Sequence, residues 1–176
     1  MSKHPSGSGH FVSYGGGIHH SAIIGSPPES RDWTPDMPIM VPIIDPTARI
    51  EAFVTIDSGL HESTKVGART FIMKACHLGH DVQVGEDCEL APHVVICGHC
   101  IIGNKVKIGV NACIRPFIRV GDGVRIGCGA VVVSDIPDGS GVWAGNPARQ
   151  LHVPVMSDEL ATDLRDIGEG ALNQPY

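Results

Sequence analysis

The sequence predicts an all-β fold: a parallel β-helix of hexapeptide repeats with projecting loops and a short C-terminal helix. Three observations carry that prediction. An aliphatic residue recurs at every sixth position from Val66 through Ile72, Leu78, Val84, Leu90 and Ile96 to Val132, twelve positions with no polar member. Two residues before each stands a small or β-branched residue, from Thr64 and Thr70 to Val124 and Ala130. The chain is 42% hydrophobic but only 5% aromatic, so its core is built of narrow aliphatic layers rather than of ring bulk. Neither a helix, with its period of 3.6, nor an ordinary strand, with its period of 2, produces a step of six. A hexad fits one short flat strand plus a corner. Three hexads then close a triangular coil of 18 residues whose aliphatic side chains stack inside, joined to the next coil by parallel ladder bonds.

The elements follow in order. Residues 1–43 carry an early set of the repeat (Val12, Ile18, Ile24) and then the proline-rich "GSPPESRDWTPDMPIMVP", which breaks the coil. Residues 44–137 form the β-helix, opening with Ile44, Ile50 and Ile56 at the same step. Ile56 to Val66 is ten residues, so four extra residues interrupt the coil around "DSGLHESTK". Both interruptions are expected to project as loops and to gather on a binding face. Glycine follows the aliphatic residue in seven of the twelve hexads and is expected there to tolerate an unusual corner backbone. Cys76, Cys88 and Cys100 share the inward small-residue slot and read as packing thiols. Residues 138–176 read as an extended tail and one short helix over 158–167, capped by Ser157 and stopped by Gly168.

Composition excludes several classes of function. The formal net charge is −6 and the 13 basic residues are spread along the chain, so no patch matches a phosphate backbone and nucleic acid is not expected as a partner. No apolar run approaches the roughly 20 residues that span a bilayer, so no membrane insertion is expected. The start "MSKHPSGSGH" lacks the apolar region of a secretory signal, which makes the cytoplasm the expected address. Six cysteines contain no pair of matched C-x-x-C motifs.

The chemistry concentrates in "CHLGHD", residues 76–81. Residues 18 apart stack at about 4.8 Å, the interstrand spacing. His80 therefore lies under Gly98 and His99 above Asp81. A histidine beside a residue with no side chain and an accessible N–H is the minimal geometry for acyl transfer: the base takes a proton and the N–H holds the oxyanion. Asp81 is the candidate to orient the imidazole, whose unperturbed pKa of about 6.5 suits a general base. Two readings of His80 stand at this point, a general base or a polar residue on a solvated outward face. His77, His93 and His99 stand behind it as candidates.

The hexads resemble the hexapeptide-repeat acyltransferases, which implies a left-handed coil and a homotrimer. "TIDSG" (55–59) and "TKVGARTFIMKACHLGHDVQVGEDCELAPHVVICGH" (64–99) resemble the middle of the UDP-N-acetylglucosamine O-acyltransferase family, as does "IIGSPP" (23–28). That resemblance implies His80 as general base, Asp81 as its orienting acid, Gly98 as oxyanion donor, and His77 and His99 against substrate. The chain departs from the family at Asp57 and Arg115, each standing where the family has a histidine, and at "ESRDW" after the two prolines. It also ends without that family's helical domain, so an acceptor other than the lipid A precursor is expected. "VVVSDIPDGSGVWAGNPARQL" (131–151) resembles instead the end of acetyl-CoA-dependent sugar acetyltransferases. This implies that Ala144, Gly145, Asn146, Pro147, Ala148 and Arg149 lie beside CoA.

The expectation is an acyltransferase, most simply an acetyltransferase, moving an acyl group from acyl-CoA (acetyl-CoA) as co-substrate to a hydroxyl or amino group of a sugar or nucleotide sugar. His80, Asp81 and Gly98 would be catalytic, and His77, His99, Asp57 and Arg115 would meet substrate. No permanently bound cofactor and no metal are expected. Two alternatives remain: a non-catalytic scaffold or binding module of the same fold, and a zinc carbonic anhydrase drawing ligands from His77, His80, His93 and His99.

Overall fold

A computed structural model describes residues 13–14 and 17–151. The aliphatic positions form two-residue strands that wind into a left-handed, three-sided coil. The first face stacks Ile18–His19, Arg49–Ile50, Phe71–Ile72, Glu89–Leu90, Lys107–Ile108 and Arg125–Ile126. The second stacks Ile23–Ser26, Thr55–Asp57, His77–Leu78, Val95–Ile96, Cys113–Ile114 and Val131–Val132. The third stacks Ile43–Ile44, Lys65–Val66, Gln83–Val84, Ile101–Ile102 and Arg119–Val120. Pairing is parallel with a step of 18 wherever the coil is uninterrupted, as in Gln83 with Ile101 and His77 with Val95. The hand runs against the right-handed preference of parallel crossovers.

The step of six makes the core. Ile56, Ile72, Leu78, Leu90, Ile96 and Ile114 are fully enclosed, each worth about 1.5–3 kcal/mol of burial. Val82, Cys88, Val94, Cys100, Val106 and Ala112 fill the narrower inward slots. The three expected packing thiols lie there, and each points its sulfur at a carbonyl one coil on: Cys76 at Ala91 (3.1 Å), Cys88 at Gly103 (3.0 Å) and Cys100 at Arg115 (3.0 Å). Burial raises the Cys76 and Cys100 thiols to about 11.

The glycines require a correction. The left-handed backbone at each corner is not at the glycine that follows the aliphatic residue but two positions further on. Phe53, Arg69, Ala75, Asp81, Asp87, His93, His99, Lys105, Asn111 and Phe117 all have φ between 56° and 65°, and Gly123 and Gly129 continue the series. Each non-glycine residue in that region carries a steric cost of roughly 1–2 kcal/mol. The repeated glycine answers a different need. A Cβ on Gly67 would sit 2.6 Å from the Gly85 carbonyl, and one on Gly85 would sit 2.7 Å from that of Gly103. Successive coils touch backbone to backbone there, and only a missing side chain permits it.

Both interruptions fall on one edge of the prism. Residues 27–42 leave the second face after Ile23–Ser26 and return at Ile43–Ile44 on the third; residues 58–64 connect Thr55–Asp57 to Lys65–Val66 at the same edge. One coil later this edge is the corner Gly79-His80-Asp81. The expected extended tail is in part a further rung: Val142–Ala144 pairs in parallel with Arg125–Ile126 and turns back antiparallel as Arg149–Leu151. The expected helix at 158–167 lies outside the described residues. No helix among the described residues is long and apolar enough to cross a membrane.

Candidate active site

The edge between the second and third faces brings four columns of side chains together. Alternation along Thr55–Asp57 and His77–Leu78 sends residues 55 and 57 outward, with His77 above Thr55 and Gly79 above Asp57. The corner that follows stacks Gly98 over His80 and His99 over Asp81. The ring of His80 occupies the space that a side chain at position 98 would fill, since a Cβ there would lie 2.8 Å from His80 Nε2. Cys97 N–H and His99 N–H donate to Ile114 and His80 carbonyls, whereas the Gly98 N–H donates to no backbone acceptor among the described residues.

Asp81 is 1% exposed, so this corner is not the solvated outward face that periodicity left open. Its carboxylate accepts four hydrogen bonds: from the backbone N–H groups of Leu60 (3.2 Å), His61 (2.8 Å) and Glu62 (2.7 Å), and from His80 Nδ1 (2.7 Å). The four extra residues after Ile56 thus close a loop around this carboxylate. Burial alone would raise the acid, but the Glu62 N–H, the His80 ring and the His61 and Leu60 N–H groups outweigh it and hold Asp81 at about 2. An ionised Asp81 fixes the proton on His80 Nδ1 and leaves the Nε2 lone pair facing the Gly98 backbone.

His99 lies in contact with three rings. It packs face to face on Phe117 with centroids 4.6 Å apart, meets His61 at 5.6 Å, and meets His80 edge-on at 4.9 Å. Its Nε2 is 3.8 Å from Asp81 Oδ2. Burial, aided by the nearby His80 and His61 and opposed by Asp81, holds its pKa below the usual histidine value. His77 is tied through Nδ1 to Thr55 Oγ1 at 2.7 Å, which leaves Nε2 directed at Asp57 Oδ2, 4.0 Å away. Burial raises the Asp57 carboxyl, against the opposing effect of His77.

A groove of about 490 Å³ runs over these groups, with His77, His80, Gly98, His99 and Asp57 on its floor, Phe117 on one wall and Glu29, Ser30 and Asp32 on the other. The structure therefore brings together His80, Asp81, Gly98, His77, His99 and Asp57. Arg115 is exposed beyond Cys97 and does not line the groove. His93 sits at the corner between the first and second faces, away from the other histidines. Ala144 and Arg149 end the two added strands of the first face, and the turn between them meets the far end of the second face, where Val131 N–H donates to Gly145 and Ala148 N–H donates to Val131. Three coils separate Val131 from His77, roughly 14 Å along one face. Sequence reasoning missed His61, Thr55 and Phe117. His61 lies in an insertion of no fixed period, and Phe117 could have been found as the residue one coil above His99.

Known proteins resemble this chain in sequence and fold. The bacterial transferase hexapeptide model matches residues 63–98 and 99–134. An acyl-[acyl-carrier-protein]–UDP-N-acetylglucosamine O-acyltransferase of Burkholderia mallei (strain SAVP1) is 32% identical over 141 residues, 78% of this chain and 53% of that one. The crystal structure of UDP-N-acetylglucosamine O-acyltransferase from Moraxella catarrhalis RH4 superposes with a TM-score of 0.70 at 26% identity, covering 86% of this chain and 56% of that one. A perosamine N-acetyltransferase of Caulobacter crescentus, solved with CoA and GDP-perosamine, shares the fold with a TM-score of 0.61 at 24% identity over 77% of this chain and 56% of that one. The chain spans about half the length of the curated relatives it matches. With its hexad repeat over residues 63–134 and its left-handed coil, the chain is a hexapeptide-repeat protein that resembles these acyltransferases in sequence and fold.

Proposed function

We propose that this chain transfers an acyl group from a thioester to a hydroxyl or amino group of a sugar or nucleotide sugar. The observation that carries the reading is the His80 ring, bonded through Nδ1 to a buried carboxylate and presenting Nε2 to the bare backbone of Gly98. His80 Nε2 takes the proton of the acceptor as its heteroatom attacks the thioester carbonyl carbon. The Gly98 N–H receives the developing oxyanion, and Asp81 stabilises the imidazolium. The protonated His80 then returns its proton to the departing thiolate. His77 and His99 flank the acceptor, and Asp57 meets it from below. Arg115, outside the groove of one chain, reaches substrate only from a position beside a second copy.

Acyl-CoA, acetyl-CoA in the simplest case, is the donor in this reading. The 144–149 turn supports it by meeting, at Val131, the far end of the face that carries His77, where a bound arm would lie along the coil. The molecule would act as a homotrimer in the cytoplasm, with a site at each subunit junction. Thermal unfolding with and without excess acetyl-CoA tests the donor. Ligand at about 100 times its dissociation constant adds roughly 2.7 kcal/mol and raises the midpoint visibly. An unchanged midpoint at millimolar acetyl-CoA would turn the reading toward a carrier-protein donor. A His80→Ala variant should keep the fold and assembly and lose turnover; persistent turnover would overturn the assignment of the base.

A further inference from the structure

Resting on that reading, we infer that the acceptor is a primary amine that enters as its ammonium ion, received by Asp57, Glu29 and His77. Asp57 is 2% exposed, yet its Oδ2 has no hydrogen-bond partner among the described residues. An unpartnered buried carboxylate oxygen carries a desolvation cost that a bound donor removes. The residue above Asp57 is Gly79, which adds no side chain over the carboxylate, and Asp57 lines the groove beside Glu29 and His77. His77 Nε2 is turned to the same point, because Thr55 holds the opposite ring nitrogen. Glu29 brings a second carboxylate within reach of both, and Asp32 a third to the groove wall. No lysine or arginine lines the groove among the described residues, so the reacting end of the acceptor meets a field of negative charge.

The spacing favours an organic ammonium over a metal ion. A tetrahedral ion bound at about 2.0–2.1 Å draws two ligand atoms to roughly 3.4 Å of one another. An ammonium hydrogen bonded at about 2.8 Å to each of two acceptors holds them roughly 4–4.6 Å apart. His77 Nε2 and Asp57 Oδ2 are 4.0 Å apart.

The protons balance with two acceptors. The ammonium gives its first proton to the Asp57 carboxylate and becomes a neutral amine. The amine attacks the thioester carbonyl, forming the C–N bond, and its second proton passes to His80 Nε2. The C–S bond breaks, His80 protonates the thiolate, and Asp57 releases its proton to solvent. A hydroxyl acceptor would need only His80, and would leave Asp57 Oδ2 without a cationic partner.

The test uses the full chain with acetyl-CoA and paired sugar acceptors that differ only in an amine or a hydroxyl at one carbon, offered both free and as nucleoside diphosphates. Thiol release gives the rate and mass spectrometry locates the acyl group. The amine member of a pair should have a kcat/KM at least tenfold higher, and Asp57→Asn should remove most of that advantage, chiefly through KM. A preference for the hydroxyl member overturns this inference and leaves the acyl-transfer reading standing. In the turnover-free His80→Ala variant, the amine probe should raise the unfolding midpoint more than its hydroxyl twin, and equal shifts refute the inference without reference to turnover. Calorimetry with zinc or manganese(II) supplies the remaining outcome: one tightly bound ion that Asp57→Asn abolishes and the amine probe cannot displace would make the cluster a metal site and refute the ammonium. Failure of every acceptor together with no acetyl-CoA shift would remove both readings.

Discussion

Asp81→Asn is the sharpest single perturbation of this site. Asn is nearly isosteric and is among the residues best suited to a left-handed backbone, so the φ of 60° at this position adds little strain. What changes is hydrogen-bonding capacity. The carboxylate accepts from Leu60, His61, Glu62 and His80, whereas an amide offers one oxygen and an N–H₂ that cannot accept. If the oxygen serves His61 and Glu62, the N–H₂ faces His80 Nδ1 and forces the other tautomer, with the proton on Nε2. That ring cannot act as a base, and turnover should fall about 10³- to 10⁴-fold. The stability loss follows from linkage. A carboxyl held at about 2 against its ordinary 3.8 contributes about 2 kcal/mol at pH 7. For a chain of this size the midpoint of unfolding should drop by about 4–8 °C. The folded-state pKa is depressed, so the contribution is complete above about pH 5 and is lost as pH falls toward 2, with about half gone at pH 3. Parent and variant are compared by thermal unfolding at pH 7 and pH 3 and by thiol release at pH 7. A gap in midpoint that is as large at pH 3 as at pH 7, or turnover within tenfold of the parent, would refute the reasoning.

Three further outcomes follow from the same geometry. Gly98→Ala places a methyl 2.8 Å from His80 Nε2 where the backbone itself tolerates Ala, so the variant should fold normally while turnover drops about 100-fold through the displaced ring, read by thiol release. Gly85→Ala sets a methyl 2.7 Å from the Gly103 carbonyl and 2.6 Å from Asn104 Oδ1, and should destabilise by about 1–3 kcal/mol or more in chemical denaturation because backbone as well as a side chain must give way. Native-state thiol titration at pH 8 should find exposed Cys128 reactive and buried Cys76, Cys88 and Cys100 silent until the chain is unfolded.

The repeat was legible because each hexad repeats one packing problem. Leu78, Ile96 and Ile114 are the same slot at steps of 18, and the buried positions of the coil follow from that arithmetic. The same arithmetic placed Gly98 on His80 and His99 on Asp81. It failed where it had nothing to count. The residues that close around Asp81, Leu60 to Glu62, lie in the insertion, and no period relates them to the corner they cap. The role of the repeated glycine was misread for a different reason. A position that excludes side chains and a position that demands positive φ both favour glycine in sequence, and only the backbone angles separate them. Here residues as large as Phe53, Arg69 and Phe117 hold the left-handed position, which residue type alone does not reveal.

The single-edge placement of both insertions has a consequence for how such a chain can change length. Removing or adding 18 residues beyond the site would slide every downstream corner by one rung, about 4.8 Å, and leave each residue on its own face. A change of six would turn the remainder of the prism by a third of a revolution and carry the 144–149 turn off the face that holds His77. Length variation in the coil is therefore quantised by whole turns. Length variation in residues 27–42 is free of that rule, since they enter and leave at the same corner, so the wall carrying Glu29, Ser30 and Asp32 can be rewritten while residues 60–62 keep their hold on Asp81.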